Sequence, residues 1–168
     1  MTFMSTTRRR TSAASFLCIV ASGIVAACSE GTPVDNVPLL TASDFVDQEV
    51  LSVTEYRYAP PYANADPEAG EALFAQCRVC HSIDPARTPL AGPPLYGIFG
   101  RGAASTPGFP YSPTMAKAGF SWTPAALDAW LAAPQKFLPG NQMPFAGIYD
   151  SGDRRDLIAY LLSENAPE

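Results

Sequence analysis

The sequence predicts a small all-α domain in which three to five helices are joined by long loops. Three segments combine helix start signals with apolar residues at helical spacing. The chain also holds 17 prolines and 12 glycines in 168 residues, more than a helical bundle carries. Residues 92–113 alone contain five of each. Loops of this length and composition need something to pack against.

Composition limits the organisation and the classes of partner. A hydrophobic content of 47% over 168 residues suits one ordinary globular domain with additional segments. The net charge is −5, so the chain offers no basic footprint for DNA or RNA. Nucleic acid is therefore excluded as a partner.

Residues 1–27 are predicted to be an export signal. Arg8 to Arg10 precede an apolar run that ends in VAAC at Cys28. This ending resembles the lipobox of bacterial lipoproteins, in which the thiol is acylated before cleavage, so Cys28 is the predicted lipid anchor. Two alternatives stay open. One is an uncleaved signal-anchor helix, although the run is just short of a spanning length; the other is plain cleavage near Ala27, which would leave a lone thiol in an oxidising compartment.

Residues 28–65 are predicted to form an acidic, proline-containing spacer. They carry six acids against one arginine and show no sustained periodicity. Two patches, PLLTASDFV and VLSVTEYRY, are apolar enough to leave a second interpretation open. In that interpretation, part of the segment packs on the domain as a strap.

The domain is predicted to span residues 66–168 and to begin with a helix. Asp66 is a good N-cap, Pro67 suits the first helical position, and Glu68 lies where the helix dipole favours an anion. Gly70 is a weak helix former inside this helix. It indicates that another helix crosses closely there.

Two more helices are predicted towards the C-terminus. The segment SWTPAALDAWLAAPQ starts with Thr123 ahead of Pro124 and ends before Pro134. The segment SGDRRDLIAYLLSEN has apolar residues at helical spacing, with Ser151 or Asp153 as its N-cap. We expect this last helix to be the one that crosses the first.

The stretch CRVCH contains the only histidine of the chain, His81, directly after Cys77 and Cys80. C-x-x-C-H is the attachment signature of c-type haem, in which the thiols bond to the vinyl groups and the histidine coordinates the iron. A thioredoxin-like redox site would need a strand–helix–strand context, and zinc would need more ligands. A structural disulfide is the remaining alternative.

The sixth iron ligand decides between electron transfer and chemistry on a substrate, because a methionine closes the position that an open site leaves free. Met115 lies in SPTMAKAGF, and Met143 lies in the proline- and glycine-bracketed loop LPGNQMPFAG. Either could also be a core residue, since methionine often fills gaps in cores. We favour Met143 as the ligand.

Residues 66–168 resemble a class I cytochrome c of the mitochondrial type and its bacterial relatives. The matching stretches are GEALFAQCRVCH, GPPLYGIFGR, PGFPYS, GFSW, APQKFLPGNQMPFAGI and DRRDLIAYL. The resemblance implies the class I cytochrome c fold, with long loops wrapped around one haem that is covalently bound through Cys77 and Cys80. It covers the whole predicted domain.

The resemblance also implies roles for individual residues. Met143 matches the axial methionine, and Pro93 matches the proline whose carbonyl accepts the ring N–H of His81, a bond that fixes the imidazole. Phe145 matches the aromatic residue beside the exposed haem edge. Three residues match the positions that donate hydrogen bonds to the haem propionates: Arg101, Tyr111 and Trp122.

Two departures from the family pattern affect these expectations. Trp130 stands where the family usually has a tyrosine, so an indole replaces a phenol that could hydrogen-bond to the methionine sulfur. Around the haem edge, Gln135 and Gln142 stand where mitochondrial members have lysines, and Lys136 is the only lysine of that loop. The docking face is therefore not a basic ring.

These observations predict a monomeric electron carrier, not an enzyme, tethered on the periplasmic side of a bacterial membrane. Its donor would be a quinol-oxidising complex or another respiratory or photosynthetic donor, and its acceptor a terminal oxidase or another acceptor. A dedicated subunit of a periplasmic dehydrogenase or respiratory supercomplex is the alternative, with 29–65 as a docking arm. A haem enzyme or gas sensor would need a vacant sixth site.

Overall fold

The computed structural model describes residues 39–166, and over that range the architecture is all-α, as predicted. The six α-helices are α1 (Val53–Tyr58), α2 (Pro67–Arg78), α3 (Pro113–Ala116), α4 (Pro124–Ala132), α5 (Pro134–Phe137) and α6 (Ser151–Glu164). Two 3-10 helices, Ala42–Phe45 and Tyr62–Asn64, precede α1 and α2. In the described range the only β-type pairing outside the helices is an isolated bridge between Gly102 and Ser121. Five of the α-helices follow residue 66, within the expected three to five.

The starts of α2 and α4 follow the predicted caps. The Asp66 carboxylate accepts the backbone N–H of Glu68 at 3.0 Å, and Thr123 Oγ1 accepts that of Ala126 at 3.1 Å. Each cap satisfies a donor that the first helical turn leaves without a partner, which stabilises a helix by about 1 kcal/mol.

The start of α6 corrects the sequence-based prediction. Its N-cap is Asp150, not Ser151 or Asp153, because the Asp150 carboxylate accepts the backbone N–H of Asp153 at 3.0 Å. Three residues able to cap a helix, Asp150, Ser151 and Asp153, occur within four positions. The backbone conformation identifies the N-cap, because Asp150 is extended and the helix begins at the next residue.

The predicted crossing of the first and last helices is present. A Cβ atom added at Gly70 would overlap the backbone carbonyl of Asp156, so the two helices touch through their backbones. One turn further along α2, the Phe74 ring packs on Tyr160 with centroids 5.4 Å apart. This contact fixes the C-terminal end of α2, where the C-x-x-C-H motif lies.

Residues 39–65, here called the strap, pack on the domain that was predicted to begin at residue 66, as in the second interpretation that the sequence left open. Ala42 and Phe45 are 6% and 3% exposed and belong to the hydrophobic core. The compact unit that contains the domain includes the whole strap. The acids and prolines of this segment are typical of a spacer, but two buried apolar side chains hold it in place.

The second half of the strap packs against the helices that follow. Val53, Tyr56 and Tyr62 are partly buried against the core cluster. Burial and the nearby Asp128 carboxylate raise the pKa of Tyr62 to about 12. The C-terminal half of the strap is therefore packed against the hydrophobic core of the domain.

The export signal and the predicted lipid anchor at Cys28 lie outside the described residues. Among residues 39–166, no helix has the length and hydropathy needed to span a membrane.

Candidate functional site

The C-x-x-C-H motif forms the C-terminal turn of α2 and the residues just after it. The backbone N–H groups of Cys80 and His81 both donate to the carbonyl of Cys77, at 3.0 and 2.9 Å. This turn brings the two thiols and the imidazole to one place. Both cysteines are free thiols and half-buried, so the structure contains no disulfide between them.

The ionisation of Cys77 argues against a redox-active thiol pair. Burial, with a contribution from neighbouring Cys80, raises the pKa of the Cys77 thiol to about 11. A dithiol catalyst needs the opposite shift, because the thiolate is the nucleophile.

The His81 ring is fixed by its surroundings. Its Nδ1 lies 2.6 Å from the carbonyl oxygen of Pro93, which can only accept, so Nδ1–H donates and Nε2 keeps a lone pair. Burial lowers the pKa of His81 and favours the neutral imidazole that a metal requires. A Cβ atom at Gly92 would lie 2.7 Å from Nδ1, so only glycine fits beside the ring. Orientation, tautomer and charge of the ring all suit an iron ligand.

All ten residues predicted to bind the haem line one cavity with a volume of about 720 Å³. They are Cys77, Cys80, His81, Pro93, Arg101, Tyr111, Trp122, Trp130, Met143 and Phe145. Most other lining residues are apolar, among them Leu95, Ile98, Leu127 and Leu157. The structure therefore brings together the whole predicted set.

The loop that carries Met143 is held by Asn141, a residue that the sequence-based analysis missed. Asn141 is 8% exposed, and its amide N–H groups donate to the carbonyls of Pro134 at 2.8 Å and Leu138 at 2.9 Å. Its side-chain oxygen accepts the backbone N–H of Met143 at 2.9 Å. An asparagine after Gly140 reads as an ordinary loop residue, so only its burial identifies this role.

Met115 lines the same cavity as Met143 and is 8% exposed. It lies in α3, where its backbone N–H donates to the N-cap hydroxyl of Ser112 at 3.2 Å. The cavity lining therefore admits both methionines. The two methionines differ in the backbone that carries them: Met115 lies on a helix and Met143 on a loop.

The Arg101 guanidinium already has partners in the protein. It donates to the carbonyls of Pro94 at 2.6 Å and Tyr96 at 3.3 Å, and burial lowers its pKa. Arg101 and Trp122 lie on paired backbone segments, since the Trp122 N–H donates to the Arg101 carbonyl at 2.9 Å. A guanidinium has five N–H donors, so Arg101 retains donors for an anionic group.

The residues present fit a covalently attached haem. Two thiols and an imidazole with an available Nε2 lie at one end of α2, on a largely apolar cavity. Arg101 is the only Lys, Arg, Asp or Glu among the described residues that line this cavity. A planar apolar group with a few anionic substituents matches such a lining.

Comparison with known proteins agrees with this chemistry. The model of the cytochrome c family matches residues 67–165. Cytochrome c2 of Rhodomicrobium vannielii is 40% identical over 107 residues, 64% of this chain and 86% of that protein. Cytochrome c2 of Blastochloris viridis is 41% identical over 106 residues, 63% of this chain and 84% of that protein.

A solved structure shares the fold. Cytochrome cH from Methylobacterium extorquens superposes with a TM-score of 0.55 at 39% identity, covering 59% of this chain and 99% of that one. The predicted class I cytochrome c fold and the single haem held through a C-x-x-C-H motif are thereby confirmed. With its motif at Cys77 to His81, this chain belongs to the cytochrome c family.

Proposed function

We propose that the protein is a one-electron carrier, tethered to the periplasmic face of a bacterial membrane, whose haem iron is ligated by His81 and Met143. The observation that carries this proposal is the convergence of the two thiols, the imidazole and the Met143 loop on one cavity. The similarity to cytochromes c2 supports electron transfer as the general role. When bound, the haem supplies an iron that accepts and releases one electron.

The protein's own residues hold the site in one arrangement. Pro93 and Gly92 fix the His81 ring, and Asn141 fixes the backbone of Met143. A thioether that fills the sixth position leaves no place for a substrate or gas at the iron. This arrangement supports electron transfer over the enzyme or sensor alternatives.

The mouth of the cavity supports docking without strong electrostatic steering. Arg101 is the single charged residue of the described lining, and its guanidinium donates hydrogen bonds to backbone carbonyls inside the domain. Leu90, which lines the cavity, is 50% exposed, and Val79, between the two cysteines of the motif, is 78% exposed. We propose that quinol-oxidising donors and oxidase-type acceptors dock on this apolar face.

The tether is proposed to be short. Ala42 is the first buried residue of the described range, and a lipid on Cys28 would be fourteen residues before it, at most about 50 Å of extended chain. Because 39–65 is packed on the domain, it is not an extended docking arm, and this favours the tethered carrier over the dedicated-subunit alternative.

The ligand assignment is tested with two variants of the holoprotein. Met143→Ala removes the thioether, so we expect loss of the far-red methionine–iron band, a lower reduction potential and new binding of carbon monoxide. The matched control is Met115→Ala, which should retain the band. If Met115→Ala loses the band and Met143→Ala keeps it, the assignment of Met143 is wrong.

The tether is tested by Cys28→Ser, which should move the holoprotein from the membrane to the soluble periplasmic fraction or block its processing. Mass spectrometry of the mature N-terminus identifies the anchor. An intact Met1 on the membrane-bound protein would instead establish the signal-anchor alternative.

A further inference from the structure

The strap lies outside the residues that match the cytochrome c family, yet it contacts residues that pack directly behind the walls of the haem cavity. Phe45 packs its ring on Phe137 of α5, with centroids 5.5 Å apart. Phe137 is 1% exposed and contacts the edge of Trp130 at 5.8 Å. Trp130 lines the cavity, so a single aromatic ring separates the strap residue Phe45 from a wall of the site.

A second contact reaches the other side of the aromatic cluster. The Thr123 hydroxyl donates to the side-chain oxygen of Gln48 at 2.6 Å. Thr123 is both the N-cap of α4 and the residue after Trp122, which lines the cavity and pairs with the backbone of Arg101. Gln48 therefore fixes Thr123, and with it the adjoining backbone of Trp122, which is paired with that of Arg101.

The same strap residues are linked to the loop of Met143. Phe137 ends α5, and the carbonyls of Pro134 and Leu138 in this region accept the amide of Asn141. Asn141 in turn holds the Met143 N–H. Phe45 packs on Phe137, and both rings are almost fully buried.

We propose that Phe45 and Gln48 are positioning residues of the haem site: they act through Phe137 and Thr123 to fix Trp130, Trp122 and the Met143 loop. This inference rests on the proposed His81/Met143 electron carrier. Without the strap contacts, α5 and the indoles gain freedom, and water approaches the site. Water stabilises the more highly charged ferric state, so the reduction potential falls.

The test uses the full-length holoprotein with Phe45→Ala and measures two properties of the folded protein. The first is the affinity of the ferric form for added imidazole, which increases with the fraction of molecules whose methionine has left the iron. We expect an increase of about threefold or more. The second is the reduction potential, which we expect to fall by the equivalent of about threefold in the ratio of reduced to oxidised protein, about 28 mV for one electron.

Two controls separate positioning from a general loss of stability. Leu162→Ala removes a fully buried side chain of α6 that does not line the cavity, so it should destabilise the fold and leave both properties unchanged. Val46→Ala changes a strap residue that is 47% exposed and should alter neither. If Leu162→Ala changes potential and imidazole affinity as much as Phe45→Ala, these properties follow stability alone and the proposal is wrong.

Two milder variants apply if Phe45→Ala does not fold. Phe45→Leu keeps an apolar side chain but loses the ring contact, and Gln48→Ala removes only the bond to Thr123. Both should shift the two properties in the same direction, by less. Unchanged values in both folded variants overturn the strap proposal. A wild-type protein without the far-red band overturns the proposed His81/Met143 carrier itself, so the two failures are distinct.

Discussion

His81 and Met143 reach the same cavity by different means. His81 follows the last turn of α2, a helix of twelve residues whose backbone touches that of α6 at Gly70. Met143 lies on a loop without helical hydrogen bonds of its own, and the buried side chain of Asn141 holds its backbone. The histidine side is therefore built from regular backbone, and the methionine side from side-chain hydrogen bonds and aromatic packing.

This difference predicts which side of the site loses its native contacts first. A helix packed along one face on a second helix opens only with much of the core, whereas a loop held by a few side-chain hydrogen bonds opens locally at a lower cost. We expect changes on the histidine side to affect global stability. Changes on the methionine side should affect ligation at the iron while the fold persists.

The largest effect is expected from Cys77→Ser combined with Cys80→Ser, which removes covalent attachment and affects both sides together. Without the haem, the apolar lining of this cavity would lose the surface on which it packs, and a domain of marginal stability cannot lose that much of its core. The haem-free protein should therefore lack a cooperative thermal transition in calorimetry. A transition like that of the holoprotein would show that the loops 82–121 fold without the haem.

The next largest effect is expected from Gly70→Val on the histidine side. The added side chain would overlap the Asp156 carbonyl, so the helices must separate, at a cost of about 3 kcal/mol or more in unfolding free energy. Ala69→Val, at an exposed position of the same helix, is the matched control and should cost less than about 1 kcal/mol. Urea unfolding of both holoproteins measures the difference. Equal losses would show that the close crossing does not determine stability.

Compared with Gly70→Val, the Asn141→Ala variant should lose less stability but show a larger change in methionine ligation at the iron. Removing the amide leaves the Met143 N–H without its partner and takes one of two donors from each of the Pro134 and Leu138 carbonyls, which costs about 1–3 kcal/mol. The far-red methionine–iron band should weaken, and imidazole should bind more tightly. Lys136→Ala, at an exposed position of the preceding α5 that does not line the cavity, is the control and should leave both unchanged. An Asn141→Ala protein that unfolds early but retains the full band would reverse the comparison of the two sides.

The smallest effect is expected in the salt dependence of electron transfer, which probes the mouth between the two sides. Residues 66–168 carry two lysines and five arginines against ten acids, a net charge of −3. Transfer to an acidic-faced oxidase should be slow and either insensitive to salt or accelerated by it, because salt screens repulsion over about 8–10 Å. Stopped-flow oxidation across a salt series measures this.

A steep fall in rate with rising salt would contradict that expectation and indicate a local basic patch. Its members would be Arg78, Arg87 and Lys136. In the structure, Arg78 lies 3.9 Å from the Glu71 carboxylate, and Arg87 lies over the Tyr96 ring. The Glu71 carboxylate reduces the positive field that Arg78 presents to a partner.

The sequence allowed prediction of the features that depend on neighbouring residues. The starts of α2 and α4 follow from Asp66–Pro67 and Thr123–Pro124, and the C-x-x-C-H turn follows from its own spacing. The close helix crossing was also predictable, because a glycine inside an otherwise good helix weakens that helix unless a close backbone contact requires it.

The features that the sequence left open or did not indicate depend on residues far apart in the chain. The strap reads as a spacer because acids surround Phe45, and its burial depends on Phe137, which lies more than ninety positions later. Asn141 reads as a loop residue until three backbone groups from its surroundings converge on it. Local composition contains neither contact.

The placement of the indoles gives this protein an internal optical reporter. The chain has two tryptophans, Trp122 and Trp130, and both line the cavity with their rings in edge contact at 5.6 Å. A haem beside them would quench their fluorescence by energy transfer, so the folded holoprotein should show very weak tryptophan emission. Emission would then rise only when an indole moves away from the haem. One fluorescence trace can therefore report haem loading during maturation and loosening of α5 during unfolding, without any added label.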